Sequence, residues 1–388
     1  MDRSRTVKVL CVLLAAAFGC SSEMTGNPVP PQDPNAPQLV PAPSPTPRAG
    51  PWDDLLNSRK LDYNLALRTA SLKLTGDLPT LQDIKDVAGA TDQATVYAQK
   101  IDGYLADPRF ASVMINYFRN AFRTGGQGRD SAAFFAAQVV TEDRSFMELF
   151  TATGGTCPTF ANGTFTAGDC GNSNPTVGVL TDPGVMELWY GNLAFRRVRW
   201  IQESFVCTKF PTEFSGAPIP KGNGQYTSPW PFESVPDDHL GRVNFRDAQA
   251  VVCANCHTTM NHIAPLFANF DDMGQMQGSI QVKVPIMGLP TAQMSDWLVS
   301  GEQLAWRHGE PAATLPALGA AIASDPDVAD CAVARVWNWA MSKGDIVLDA
   351  SAVPEFVIKG LVVDFANNQF KLKRVIRDAF TSDDFVRF

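Results

Sequence analysis

Cys253-Ala254-Asn255-Cys256-His257 constrains this chain more than any other stretch, because three chemically active side chains fall within five residues. Two intervening residues place both sulfurs on one helical turn, and the imidazole follows at once. That spacing suits a porphyrin edge: the thiols add across the vinyl groups, and His257 reaches the iron. Other chemistries draw on the same residue types. A redox-active Cys253–Cys256 disulfide needs a thioredoxin-like strand–helix setting, which the flanking sequence does not offer. Zinc can use Cys253, Cys256, His257 and His262, although all four crowd onto one short segment. A plain structural disulfide needs no metal at all.

The opposite face of the iron is less determined. Met260 lies three residues past His257, on the same side of a helix. Met287 and Met294 flank Gly288-Leu289-Pro290, a loop able to fold back over a flat cofactor, so either can supply the distal ligand. A vacant or water-bound position is the alternative. A Met ligand raises the potential and favours electron transfer, whereas an open position binds small ligands. His262 and His308 read as packing or surface residues.

The N-terminus reads as an export signal over residues 1–20. Arg3, Arg5 and Lys8 precede an apolar run from Val9 to Phe18 that is too short to span a bilayer. It ends in Ala17-Phe18-Gly19-Cys20, which resembles the lipobox of bacterial lipoproteins. The resemblance implies that Cys20 becomes the lipid-modified N-terminus, with ordinary secretory cleavage as the alternative. Ser21 resembles the outer-membrane sorting pattern, so a lipid-anchored protein of the envelope is expected, facing the periplasm or the exterior. Ten prolines between Pro28 and Pro51 make residues 21–51 an extended tether. Net charge is -8 and no basic tract is present. Nucleic acid is therefore not an expected partner.

Eight cysteines are present. With Cys11 in the signal, Cys20 at the lipobox and two in the pentapeptide, Cys157, Cys170, Cys207 and Cys331 remain, open to three pairings. Cys157–Cys170 is favoured because it brackets a loop of small and polar residues. Cys207 and Cys331 then pair across the chain or stay as buried thiols, and an oxidising compartment favours the bond.

Three- and four-residue apolar steps predict helices from Trp52 to about Phe122, interrupted at Thr75–Thr80, where Thr80 and Asp83 can cap a second helix. Further helices are expected around Tyr97–Leu105 and Phe110–Phe122, from Ser131 toward Phe150, and over Pro183–Cys207. Residues 154–178 read as a long loop and Pro211–Pro236 as irregular. Phe245–His257 is expected to be the short helix delivering the pentapeptide, and Ser279–Val284 a short strand. The last ninety or so residues read as helical, ending in Phe370–Phe380. The fold class is mainly α: helical bundles with long irregular loops, a small cytochrome c-like segment lying between N- and C-terminal helical domains. The boundaries are 52–153 for the N-terminal domain, 154–178 for the stapled loop, 179–300 for the helix and haem-binding region, and 301–388 for the C-terminal domain.

Over most of its mature length the chain resembles the planctomycete-type cytochrome c proteins. The resemblance is carried by the pentapeptide with Asn269-Phe270-Asp271 and Gly274, by Gly178–Pro183, and by Arg196-Arg197 with Glu203 and Cys207. Leu74–Thr80, Asp107–Phe110, Glu142–Phe146 and Phe380–Phe385 extend it. His262, Ala264 and Met276-Gln277 depart from the family pattern. The resemblance implies one covalent haem c on Cys253, Cys256 and His257, and electron transfer with a redox protein as partner. A haem enzyme or sensor with an open axial site, or a structural or zinc-binding envelope interaction protein, are the alternatives. No acid–base or nucleophile constellation forms around Arg123, Asp143, Arg144 or Glu148. Gly125-Gly126-Gln127-Gly128 follows a helix rather than a strand and reads as a linker, not a phosphate loop.

Overall fold

Polar residues at the helix ends decide where the first helices begin and stop. The computed structural model describes residues 58–208, 220–221, 224–225, 257, 259–284, 290–298, 300–345 and 353–388. Helix α1 is Tyr63–Thr75, entered through the Asp62 carboxylate, which accepts from the Asn64 and Leu65 amides, and closed at Gly76. Helix α2, Leu81–Gly89, carries the expected capping box: the Asp83 amide donates to Thr80 Oγ1 and the Thr80 amide to Asp83 Oδ2, both at 3.1 Å. Helix α3, Gln93–Ala106, packs on α1. Asp107-Pro108 ends it and opens α4, Arg109–Phe122.

The mainly α class holds, with two expected helices divided. Ser131–Phe150 is not continuous: α5 is Ser131–Thr141 and α6 is Glu148–Thr151. Between them Asp143 takes a left-handed φ of 56°, and the Phe146 amide leaves the helical ladder to donate to Phe370 O at 2.8 Å. Pro183–Cys207 likewise divides into α7, Pro183–Leu188, and α8, Phe195–Phe205. Leu193 and Ala194 both sit at φ 55°, and Leu193 donates its amide to Lys283 O at 3.0 Å. In each case a long-range backbone bond outweighs local helix propensity.

The loop over 154–178 contains a hairpin that its polar composition hides. Strands β1, Thr159–Ala161, and β2, Thr164–Thr166, pair antiparallel across Asn162-Gly163. Both turn residues have positive φ, 53° and 78°, the demand of a tight two-residue hairpin turn that Asn-Gly meets. A minimal pair, β3 (Pro220–Lys221) and β4 (Gly224–Gln225), lies in the stretch expected to be irregular. Ser279–Val284 is not a strand. Its amides at Gln281 and Val282 go to Ala268 O, and only Lys283 forms an isolated bridge, with Thr291.

Among the described residues, helices α9 (Leu315–Ser324), α10 (Pro326–Ala340), α11 (Glu355–Asn367), α12 (Leu372–Thr381) and α13 (Asp383–Val386) follow toward the C-terminus. They do not stand apart from the N-terminal helices: α12 packs on α3 and α13 on α1. The Tyr97 hydroxyl donates to Phe380 O at 2.7 Å, and the Lys60 and Phe388 backbones exchange two bonds of 3.0 Å. One cluster of buried side chains runs through residues on both sides of positions 153, 178 and 300, with Trp200, Trp297 and a group of fully buried phenylalanines among its largest members.

Candidate functional site

His257 is helical, as are residues 259–263. The residue one turn on, Asn261, is 2% exposed, and its Oδ1 lies 3.3 Å from His257 Nδ1. With Nδ1–H donating there, Nε2 carries the lone pair that a metal requires. The Phe195 ring, at the start of α8, meets the imidazole edge-on, with centroids 4.8 Å apart. Burial lowers the His257 pKa to about 4 against the opposing pull of Asn261, so the ring is neutral at ordinary pH. The kink at Leu193 and Ala194 sets where Phe195 falls. It is fixed from two sides, by Lys283 O on the Leu193 amide and by Trp297 Nε1 on Leu193 O at 3.0 Å.

Arg197, two residues further along α8, is wholly buried and ties the neighbourhood together. Its guanidinium donates to Met186 O from Nε at 3.1 Å and Nη2 at 2.6 Å, to Phe267 O and Phe270 O from Nη1 at 2.7 and 2.9 Å, and to Asp271 O from Nη2 at 2.9 Å. The Tyr190 and Phe270 rings lie 5.3 and 5.8 Å from its central carbon. Burial lowers its pKa to about 10, which still leaves it charged near neutrality. It thereby fastens the end of α7 to the segment that follows His257. Gly274 closes the same contact. At φ 72° its position is open only to a residue without Cβ, because a Cβ there would stand 2.2 Å from Pro183 O.

Of the residues singled out from the sequence, Cys20, Cys253, Cys256, Met287 and the helix expected at 245–256 lie outside the described residues. Met294 opens a 3-10 turn, Met294–Asp296, and is 47% exposed. His262 is a packing residue, 3% exposed, with Nε2 3.2 Å from Glu302 Oε2. Cys157 is bonded to Cys170, and Cys207 to Cys331. No family model, curated protein or solved structure matches the chain. Among the described residues, no helix is long and apolar enough to cross a membrane. Asn261, Phe195 and the stapling role of Arg197 were not foreseen; an amide four residues after a candidate ligand on a helix is the one signal that pointed to Asn261.

Among the described residues, the one grouping of potential metal donors is Cys157, Cys170 and Asp182. Both thiols are consumed in the disulfide, so no thiolate is on offer. Asp182 is instead a structural carboxyl: Oδ1 accepts the Val185 amide at 2.9 Å at the start of α7, and Oδ2 lies 3.8 Å from Cys157 Sγ. Burial raises its pKa to about 6, against hydrogen bonds from Ser131, Val185 and Gly184. A folded-state pKa above the unfolded value means that the native protein holds the proton more tightly. Stability is thus full below about pH 4 and falls as pH rises toward 6, by about 3 kcal/mol in all. Asp182→Asn keeps an oxygen for Val185 and removes the charge. In urea unfolding it is expected to match the wild type at pH 4 and to exceed it by up to about 3 kcal/mol at pH 7. A gap that does not widen with pH would refute the assignment.

Proposed function

We propose that this chain is an exported, lipid-anchored haem c protein that passes electrons in the bacterial envelope. The observation that carries the reading is the pentapeptide Cys253–His257 in a chain with an export signal. The oriented, neutral His257 imidazole fits it. Cys253 and Cys256 would form the two thioether bonds and His257 the proximal iron bond, with Met287 or Met294 as the distal ligand. The haem supplies one-electron chemistry. The remaining work falls to the chain. Asn261 holds the Nδ1 proton and so fixes ring orientation and basicity. Phe195 covers the ring edge, and Arg197 anchors the segment beyond. A lipid on Cys20 and the tether over 21–51 would keep the protein at the outer membrane, within reach of a redox protein partner.

Exported with a cytochrome maturation system, the protein is expected to give a covalent haem stain on denaturing gels and a Soret band. Cys253→Ser with Cys256→Ser is expected to abolish both. A mature polypeptide with no added porphyrin mass would sink the reading, and stoichiometric zinc in its place would establish the metal alternative.

A further inference from the structure

A cleft of about 440 Å³ opens between α1, α4 and α10, away from the residues around His257 in sequence and lined by none of them. Lys73, Asn116, Asn120, Asn338, Trp339 and Lys343 form its chemically distinctive wall. The cleft also touches Arg335 and Asp345, but these serve the fold. Arg335 donates to the Ser204 and Glu203 carbonyls, and its Nε lies 3.5 Å from Asp345 Oδ1. In a chain of net charge -8, the wall left over is positive. Lys73 spends one proton on Trp339 O at 2.5 Å, and burial lowers its pKa, the mark of an amine short of solvation that a counter-charge would restore.

Asn338 is the more telling residue. It is 1% exposed, and neither Nδ2 nor Oδ1 has a hydrogen-bond partner. A buried amide left unmade at both ends costs stability, and native proteins rarely keep one without a use. Asn116 and Asn120 lie one turn apart on α4, on one helix face. The Trp339 ring, held 5.3 Å from the rings of both Tyr117 and Phe380, is partly buried. Two lysines without a spare arginine fork suit a single negative charge. Three amides suit hydroxyls, which both give and accept, and an indole suits the C–H face of a small ring.

We propose that this cleft binds a small hydroxylated carboxylate, a sugar acid by chemical class. The carboxylate lies toward Lys73 and Lys343, and the hydroxyls lie on the asparagine amides. The test is calorimetric titration of the full-length chain with D-glucuronate. Saturable binding is expected, with glucose and inorganic phosphate each weaker by about tenfold or more, since each lacks one half of the chemistry. Asn338→Leu removes the unmade amide, so it is expected to melt at or above the wild type while glucuronate affinity falls about tenfold. Lys73→Met is expected to lose affinity to a similar degree. No saturable heat from glucuronate, phosphate binding as tight as glucuronate, or affinity retained in Asn338→Leu would each overturn the proposal.

Discussion

Arg197→Ala is expected to destabilise the protein by about 3–6 kcal/mol. The side chain is fully buried, and its five hydrogen bonds end on four backbone oxygens, at Met186, Phe267, Phe270 and Asp271. Truncation strands the Met186 and Phe270 oxygens away from water, at about 1–3 kcal/mol for each buried group left unmade, while Phe267 O and Asp271 O keep the Phe270 and Gly274 amides, each at 3.3 Å. It also opens a cavity beside Tyr190 and Phe270. Against a native stability of about 5–15 kcal/mol, that is a large fraction of the whole. Arg197→Lys retains the charge but not the fork. One ammonium cannot reach both the end of α7 and the 267–271 turn, so most of the loss is expected to remain. Urea unfolding followed by far-ultraviolet circular dichroism measures the effect, and limited proteolysis should show the first new cuts near 264–284. A variant within 1 kcal/mol of the wild type would mean that the staple is dispensable.

What could be read in the sequence divides along a physical line. Signals that act within one turn of backbone were legible. The capping box at Thr80 and Asp83, the break at Gly76 and the Asp107-Pro108 boundary all depend on neighbours a few residues away. The helix interruptions at Asp143 and at Leu193–Ala194 were not legible, because their causes lie far along the chain: Phe370 O receives the Phe146 amide, and Lys283 O receives that of Leu193. No periodicity over 131–150 or 183–207 contains that information. The hairpin at Asn162-Gly163 is a different case. Its turn signal was present, but both strands are short, and the small and polar residues around them read as loop.

The candidate site follows the same division. The spacing of Cys253, Cys256 and His257 is local and can be seen in the sequence. The second layer around His257 is part local and part distant. Asn261 sits on the same helical turn, whereas Phe195 and Arg197 arrive from α8, some sixty residues earlier in the chain. His262 is buried, as its reading as a packing or surface residue allowed, but its partner Glu302, with Oε2 3.2 Å from Nε2, lies forty residues on and no spacing rule anticipates it. The division of the chain into N- and C-terminal helical domains was drawn from sequence order, while packing joins α3 to α12 and α1 to α13.

The Cys207–Cys331 bridge carries the other large expected effect. The bonded residues are 124 apart, so the bond closes a covalent loop that includes Cys253, Cys256 and His257. In the chain-entropy model a loop of that length stabilises by about 5 kcal/mol, chiefly by restricting the unfolded ensemble. Replacing both cysteines with serine is expected to lower the melting temperature by roughly 7 °C for a protein of this size. The shorter Cys157–Cys170 loop, with a separation of 13, is expected to be worth about 3 kcal/mol. A double variant that melts within 2 °C of the wild type would show that the bridge does not restrain the chain. Counting thiols on the same mature protein joins this result to the proposed function. Reductant opens disulfides but not thioethers, so alkylation after reduction should label four cysteines, at positions 157, 170, 207 and 331, if haem holds Cys253 and Cys256 and lipid holds Cys20. Six labelled cysteines would mean that both pentapeptide thiols stand unmodified, and the electron-transfer reading would fall while the disulfide framework stood.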